Sequence, residues 1–158
     1  MLQLASKALQ LAGFRRAPLD LFAAAKLRRA PLRIATGGFI LNSAVGKVGG
    51  DEKTAAGLHG MATRAYPILS KAEPQPFLKV LTAGELSVAA ALLLPFVPAR
   101  LAGIALIAFS GSLLSMYARI PFLHDKFLRP TPGGVPMAKD IWMMGIGISL
   151  VLDSFETK

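Results

Sequence analysis

The chain has 158 residues, 53% of them hydrophobic and 17% charged, with a mean hydropathy of +0.51. That average is too apolar for a soluble domain of this size and points to a membrane protein. The absence of cysteine excludes disulfides, thiolate-held metal and thiol chemistry, and the formal charge of +9 lacks the interleaved aromatics that single-stranded nucleic acid requires.

Residues 1–14 place Leu2, Ala5, Leu9 and Ala12 on one helical stripe opposite Gln3, Ser6, Lys7 and Gln10, the pattern of a helix lying in the membrane surface. The basic residues that follow, Arg15, Arg16, Lys26, Arg28 and Arg29, are candidates for contact with anionic lipid or a protein partner. Residues 1–30 therefore read as a basic amphipathic segment, and 31–158 as the membrane domain.

Four segments approach the roughly 20 apolar residues that a spanning helix needs: 33–49, 77–95, 100–118 and 138–153. The expected fold is all-α, a bundle of four transmembrane helices preceded by the interfacial helix. Between the first two spans, Leu58, Met61, Ala62 and Ala65 recur at helical spacing, so a short interfacial helix is expected there, closed by Pro67, Pro74 and Pro76. The link PFVPAR is short enough to make spans two and three antiparallel neighbours. The third connection, IPFLHDKFLRPTPGGVP, is too rich in Pro and Gly for a long helix. Weighting the basic flank of the first span most heavily puts both termini in the cytoplasm.

A charged side chain at the centre of a spanning helix costs roughly 2.5–3.5 kcal/mol and needs a partner, water or a route to the surface. Glu85 falls on the order of 12 Å into span two at about 1.5 Å per residue, with Leu81, Thr82, Val88 and Ala89 as its helical neighbours. Asn42 falls at a similar depth in span one, on a stripe with Ala35, Gly38, Gly46 and Gly49 that would let helices approach closely. Lys47, Arg119 and Asp140 sit at the same end of their spans, so Asn42, Lys47, Glu85, Arg119 and Asp140 converge on the outer half of the bundle. Two readings stay open: a network that sets helix register, or a polar chamber for a small ligand such as a quinone head group.

His59 and His124 read as surface histidines in connections; Ser110, Ser112 and Ser115 as packing residues; Trp142 and Tyr117 as members of an aromatic belt. No catalytic constellation, phosphate loop, dinucleotide fingerprint or metal-ligand spacing is present.

The stretches RIATGGFILNSAVGKVGG, GELSVAAALLLPFVPARLAGIALIAFSG and AKDIWMMGIGISLVLD together resemble the DoxX family of small four-helix bacterial membrane proteins. The likeness covers residues 31–153 and leaves 1–30 as an addition. It implies a multi-pass protein of the bacterial inner membrane, associated with redox complexes, with the family's polar positions falling on Lys47, Glu85, Arg100, Lys139 and Asp140.

The leading functional expectation is an integral subunit or anchor of a larger, redox-related membrane complex, without catalytic activity of its own. The alternative is a quinone-linked oxidoreductase component holding a small lipophilic ligand near Glu85. A solute or proton carrier is the weaker third reading, resting on the buried carboxylate alone.

Overall fold

The computed structural model describes residues 21–155, with side chains from residue 24 onward. The expected surface helix at 1–14, together with Arg15 and Arg16, lies outside the described residues. Those residues form six helices in the order α1 (Leu21–Val45), α2 (Glu52–Ala65), α3 (Pro74–Leu93), α4 (Ala99–Arg119), α5 (Val135–Ala138) and α6 (Asp140–Asp153). Short 3₁₀ turns occupy Pro67–Lys71 and Pro121–Leu123. Among the described residues there is no strand, only an isolated bridge between His124 and Pro130.

Three helical stretches are long and apolar enough to cross a membrane: Pro74–Leu93, Ala99–Arg119, and Val135–Asp153. Their exposed residues include large apolar ones, among them Val80, Leu101, Ile104, Ile141 and Ile148, which suit lipid contact. The first helix, α1, is long enough, but its first half carries Lys26, Arg28, Arg29 and Arg33. It also runs unbroken through Pro31, so the boundary expected between residues 30 and 31 falls inside one helix.

Local chemistry sets most of the helix ends. Asp51 caps α2, its Oδ1 accepting from the Thr54 N–H at 2.8 Å, and that bond holds the Asp51 carboxyl below its ordinary range. Pro74 stands at the start of α3, where a missing N–H costs nothing. The residues between Leu93 and Ala99, with Pro95 and Pro98, turn the chain back in a tight link.

The helices pack as two antiparallel pairs, α1 along α3 and α4 along α6, joined through α3 and α4. Ile40, Ala89, Leu92, Ala102, Leu106, Met143 and Leu150 form the central apolar cluster. The α4–α6 crossing is made at glycine: a Cβ on Gly103 would stand 2.7 Å from the Gly147 carbonyl oxygen, and one on Gly147 would stand 2.8 Å from Ile107 Cγ1. The expected small-residue stripe on α1 is not the packing stripe. Ala35, Gly38, Asn42, Gly46 and Gly49 are exposed, whereas Thr36, Gly37, Ile40 and Ala44 face the core. Gly37 is the residue that allows close approach, since its Cβ would meet Leu93 Cγ at 2.8 Å.

At the end of the structure that holds the tight link, arginines of α1 grip the carboxyl ends of two other helices. Arg33 donates to the carbonyls of Leu92 (2.7 Å), Ala91 (2.9 Å), Leu94 (2.9 Å) and Val97 (3.0 Å). These are the orphan acceptors of the α3 terminus and its exit, at the negative end of that helix. Arg28 and Arg29 both pair with Asp153, the last residue of α6. Arg28 and Arg29, expected to contact lipid or a partner, also tie α1 to α6 through their guanidinium groups. Lys26 remains exposed, and Arg100 lies over the Phe155 ring.

The glycine crossing yields a test. Replacing Gly103 with Ala should cost about 1–3 kcal/mol by overpacking. Gly145→Ala, on α6 where an added Cβ meets nothing within 4 Å, should be neutral or stabilising by up to about 1 kcal/mol. Thermal unfolding of the two variants in detergent reads the difference.

Candidate ligand chamber

The opposite end of the helices does not close on itself. There the carboxyl-terminal part of α1, the middle of α3, the end of α4 and the start of α6 spread around a cavity of about 430 Å³, within the size range of small-molecule sites. Helix α2 lies across it, contributing Leu58, Met61 and Ala62. A helix therefore exists where a short one was expected, and its apolar face covers a cavity. His59 fastens it: Nε2, 2.9 Å from the Leu69 carbonyl oxygen, must donate, and the ring meets Phe77 edge-on at 5.3 Å. His59 is consequently a half-buried structural residue, where a surface histidine was expected.

The walls are mostly apolar, with Phe77 and Leu81 from α3, Phe109, Leu113 and Met116 from α4, and Met143 from α6. Four of the six methionines in the sequence, Met61, Met116, Met137 and Met143, line the space. Such flexible, polarisable side chains suit an adaptable apolar site.

Into this lining project the ionisable groups. Glu85 is 5% exposed, about 16 Å along α3 at about 1.5 Å per residue. Its Oε2 accepts from Lys47 Nζ at 2.9 Å. Lys47 lies just past the end of α1 and also donates to the Ser43 hydroxyl at 2.7 Å and the Ser43 carbonyl at 3.1 Å. The ammonium has three N–H groups, and all three are engaged. Glu85 and Lys47 thus join α3 to α1 through a mostly buried pair that neutralises both charges in a dry setting.

Asp140 is different. It is 3% exposed, lines the cavity at the start of α6 and, among the described residues, has no hydrogen-bonding or ion-pair partner for its side chain. Lys139, the residue before it, places its ammonium over the Phe39 ring at 4.4 Å. Because no fully enclosed side-chain nitrogen or oxygen among the described residues lacks a partner, the Asp140 oxygens open onto the cavity.

Of the five residues expected to converge, the structure brings Lys47, Glu85 and Asp140 to one cavity. It leaves out Asn42, which is exposed on α1. One residue further along, Ser43 takes the position beside Lys47 that the sequence pattern assigned to Asn42. Arg119 does not reach the cavity either: its guanidinium stacks on the outside of Tyr66 at 4.7 Å. Tyr66, which sequence reasoning missed, does line the cavity and donates to Ser115 Oγ at 2.8 Å.

Ser110 is fully buried and donates to the Leu106 carbonyl, as a packing serine does. Tyr117 is not in a belt; it is buried, and its hydroxyl donates to the Leu128 carbonyl at 2.9 Å. That contact helps hold Leu128 in the left-handed region, at φ 59°, in the loop that His124 also occupies. Trp142 is exposed.

The two carboxylates make opposite predictions. Glu85→Gln leaves the Lys47 ammonium buried without a counter-charge and should cost on the order of 3 kcal/mol. Asp140→Asn removes a buried charge that makes no hydrogen bond or ion pair among the described residues and that Lys139 offsets only through space, so the melting temperature should stay level or rise. Parallel thermal melts of the two variants in one detergent check both signs. No protein-family model, no curated protein and no solved structure matches this chain.

Proposed function

We propose that the protein is a multi-pass membrane protein whose four long helices all cross the bilayer, and that its chamber binds a small lipophilic molecule with a polar head. The observation that carries this is the cavity itself: apolar walls on six helices around two buried carboxylates, one of them without a hydrogen-bond or ion-pair partner among the described residues. A group that only fixed helix register would be paired across helices, as Lys47 and Glu85 are; the Asp140 side chain makes no such bond among the described residues. The fourth crossing is α1, which enters with its arginines hydrogen-bonded to Asp153 and to backbone carbonyls and exposes Ile34, Phe39, Leu41 and Val45. With the basic amino-terminal flank inside, both termini face the cytoplasm and the chamber lies in the outer half of the membrane.

A second reading joins the first. The resemblance to DoxX proteins supports a subunit of a redox-related complex in a bacterial inner membrane, in which the chamber would hold a quinone-sized molecule beside a partner enzyme. The chamber's volume and its mixture of rings, thioethers and carboxylates favour that link over a bare anchor, and over a carrier.

Purification of the full-length protein in mild detergent, followed by native mass spectrometry of what it retains, tests the ligand reading. Wild type is expected to keep a lipophilic molecule at near-stoichiometric ratio. Leu113→Trp, which fills the cavity from α4, should retain at least tenfold less while melting within a few degrees of wild type. Equal retention by both proteins would count against the chamber as the site.

A further inference from the structure

We infer that the chamber selects a neutral, hydroxylated aromatic head group, one that donates hydrogen bonds, over a head that can only accept them. The inference rests on the chamber being a ligand site and says what that site recognises.

It follows from an accounting of unused donors and acceptors around the cavity. Three of the donors in the lining are already committed. Lys47 spends all three N–H groups on Ser43 and Glu85. Tyr66 donates to Ser115 and Ser112 to the Phe109 carbonyl. Only the Ser43 hydroxyl and the Lys139 ammonium keep unused hydrogens, and the latter is held against the Phe39 ring. Acceptors are in surplus. Glu85 engages Oε2 and leaves Oε1, and both Asp140 oxygens are unpartnered. A ligand that brings O–H groups satisfies these oxygens; one that brings carbonyl or ether oxygens adds acceptors to a site whose free donors are the Ser43 hydroxyl and the ring-bound Lys139 ammonium.

Charge and shape narrow the class further. A cationic amine would meet the Lys47 and Lys139 ammoniums, and an anion would meet Glu85 and Asp140, so a neutral head is favoured. The walls around it offer the Phe77 and Phe109 rings and the thioethers of Met61 and Met116, which suit the faces and edges of an aromatic ring. For a head group that exists in both states, the site holds the hydroxyl-bearing form in preference to its carbonyl form.

Isothermal titration of the full-length protein in detergent with para-heptylphenol and with its methyl ether tests this, since the two differ by one O–H donor. The phenol is expected to bind wild type about tenfold more tightly, the size of one well-made hydrogen bond to a charged acceptor. In Asp140→Leu that preference should shrink to within twofold. Asp140→Asn, which supplies an N–H₂ donor in the same space, should gain affinity for the ether. Equal affinity of wild type for both compounds, or a phenol preference that survives in Asp140→Leu, overturns the donor rule and leaves the ligand site standing. Failure of both compounds to bind overturns the rule and the ligand reading together.

Discussion

A buried ammonium and a buried carboxylate on different helices must find each other, and the rest of this structure is arranged around that requirement. Lys47 and Glu85 meet at 2.9 Å. In an apolar medium neither can be left alone without a cost of several kcal/mol, so the pair sets where α1 lies along α3. The other end of the same helix contact is set by Arg33, which takes up four carbonyls at the α3 terminus. Between these clamps lie Gly37 against Leu92 and Leu93, and Ile40 and Ala44 in the core. A slide of α1 by one residue would break both clamps and move Gly37 off Leu92 and Leu93.

The two ends of the molecule use charge differently. At the link end the cations serve as caps: Arg28, Arg29 and Arg33 are spent on a helix-terminal carboxylate and on backbone oxygens that no further helical turn can satisfy. These bonds close that end and allow a cation-rich helix to pack beside apolar ones. At the chamber end several cations lie over rings, Arg119 on Tyr66, Lys139 on Phe39 and Arg64 on Phe122. Stacking satisfies part of a guanidinium or ammonium. The cavity persists at this end because its charges are directed to rings and because α2 is tied across by His59, so the helices themselves do not collapse together.

Much of the helical order was legible in the sequence, because long apolar runs and proline punctuation act locally. The tight turn after Leu93, the lack of a long helix between Arg119 and Val135 and the helix containing Leu58 and Met61 all follow from such signals. The convergence of Lys47, Glu85 and Asp140 was also readable, since depth along antiparallel helices can be counted at a fixed rise. Rotation about a helix axis could not be counted in the same way. A single apolar helix offers several stripes of small residues, and the choice of Gly37 over Gly38, or Ser43 over Asn42, is made by the shape of α3 and by the two clamps. The Gly103–Gly147 crossing was hidden for the same reason: each glycine is unremarkable until the facing helix is known. The pairing of Arg28 and Arg29 with Asp153 depends on contacts more than a hundred residues apart in the chain, where composition indicates only a basic segment.

Asp140 is the residue that the requirements of folding do not explain. It starts α6, where a negative charge gains something from the helix dipole, but an exposed aspartate or a neutral cap would gain as much without burial. Lys139, next to it, offsets part of its charge through space but has its ammonium over the Phe39 ring and makes no ion pair with it. Glu85, in a comparable setting, has a dedicated cation, and the same fold supplies cations freely elsewhere. A buried carboxylate kept beside an apolar cavity, in a protein with 18 Lys and Arg residues, is a loss of stability that packing does not recover. Such losses are concentrated at sites of function, where the missing partner arrives with the ligand. On that argument the difference between the two carboxylates is the most informative feature of the chain: Glu85 holds the helices in place, and Asp140 is the group held in readiness between them.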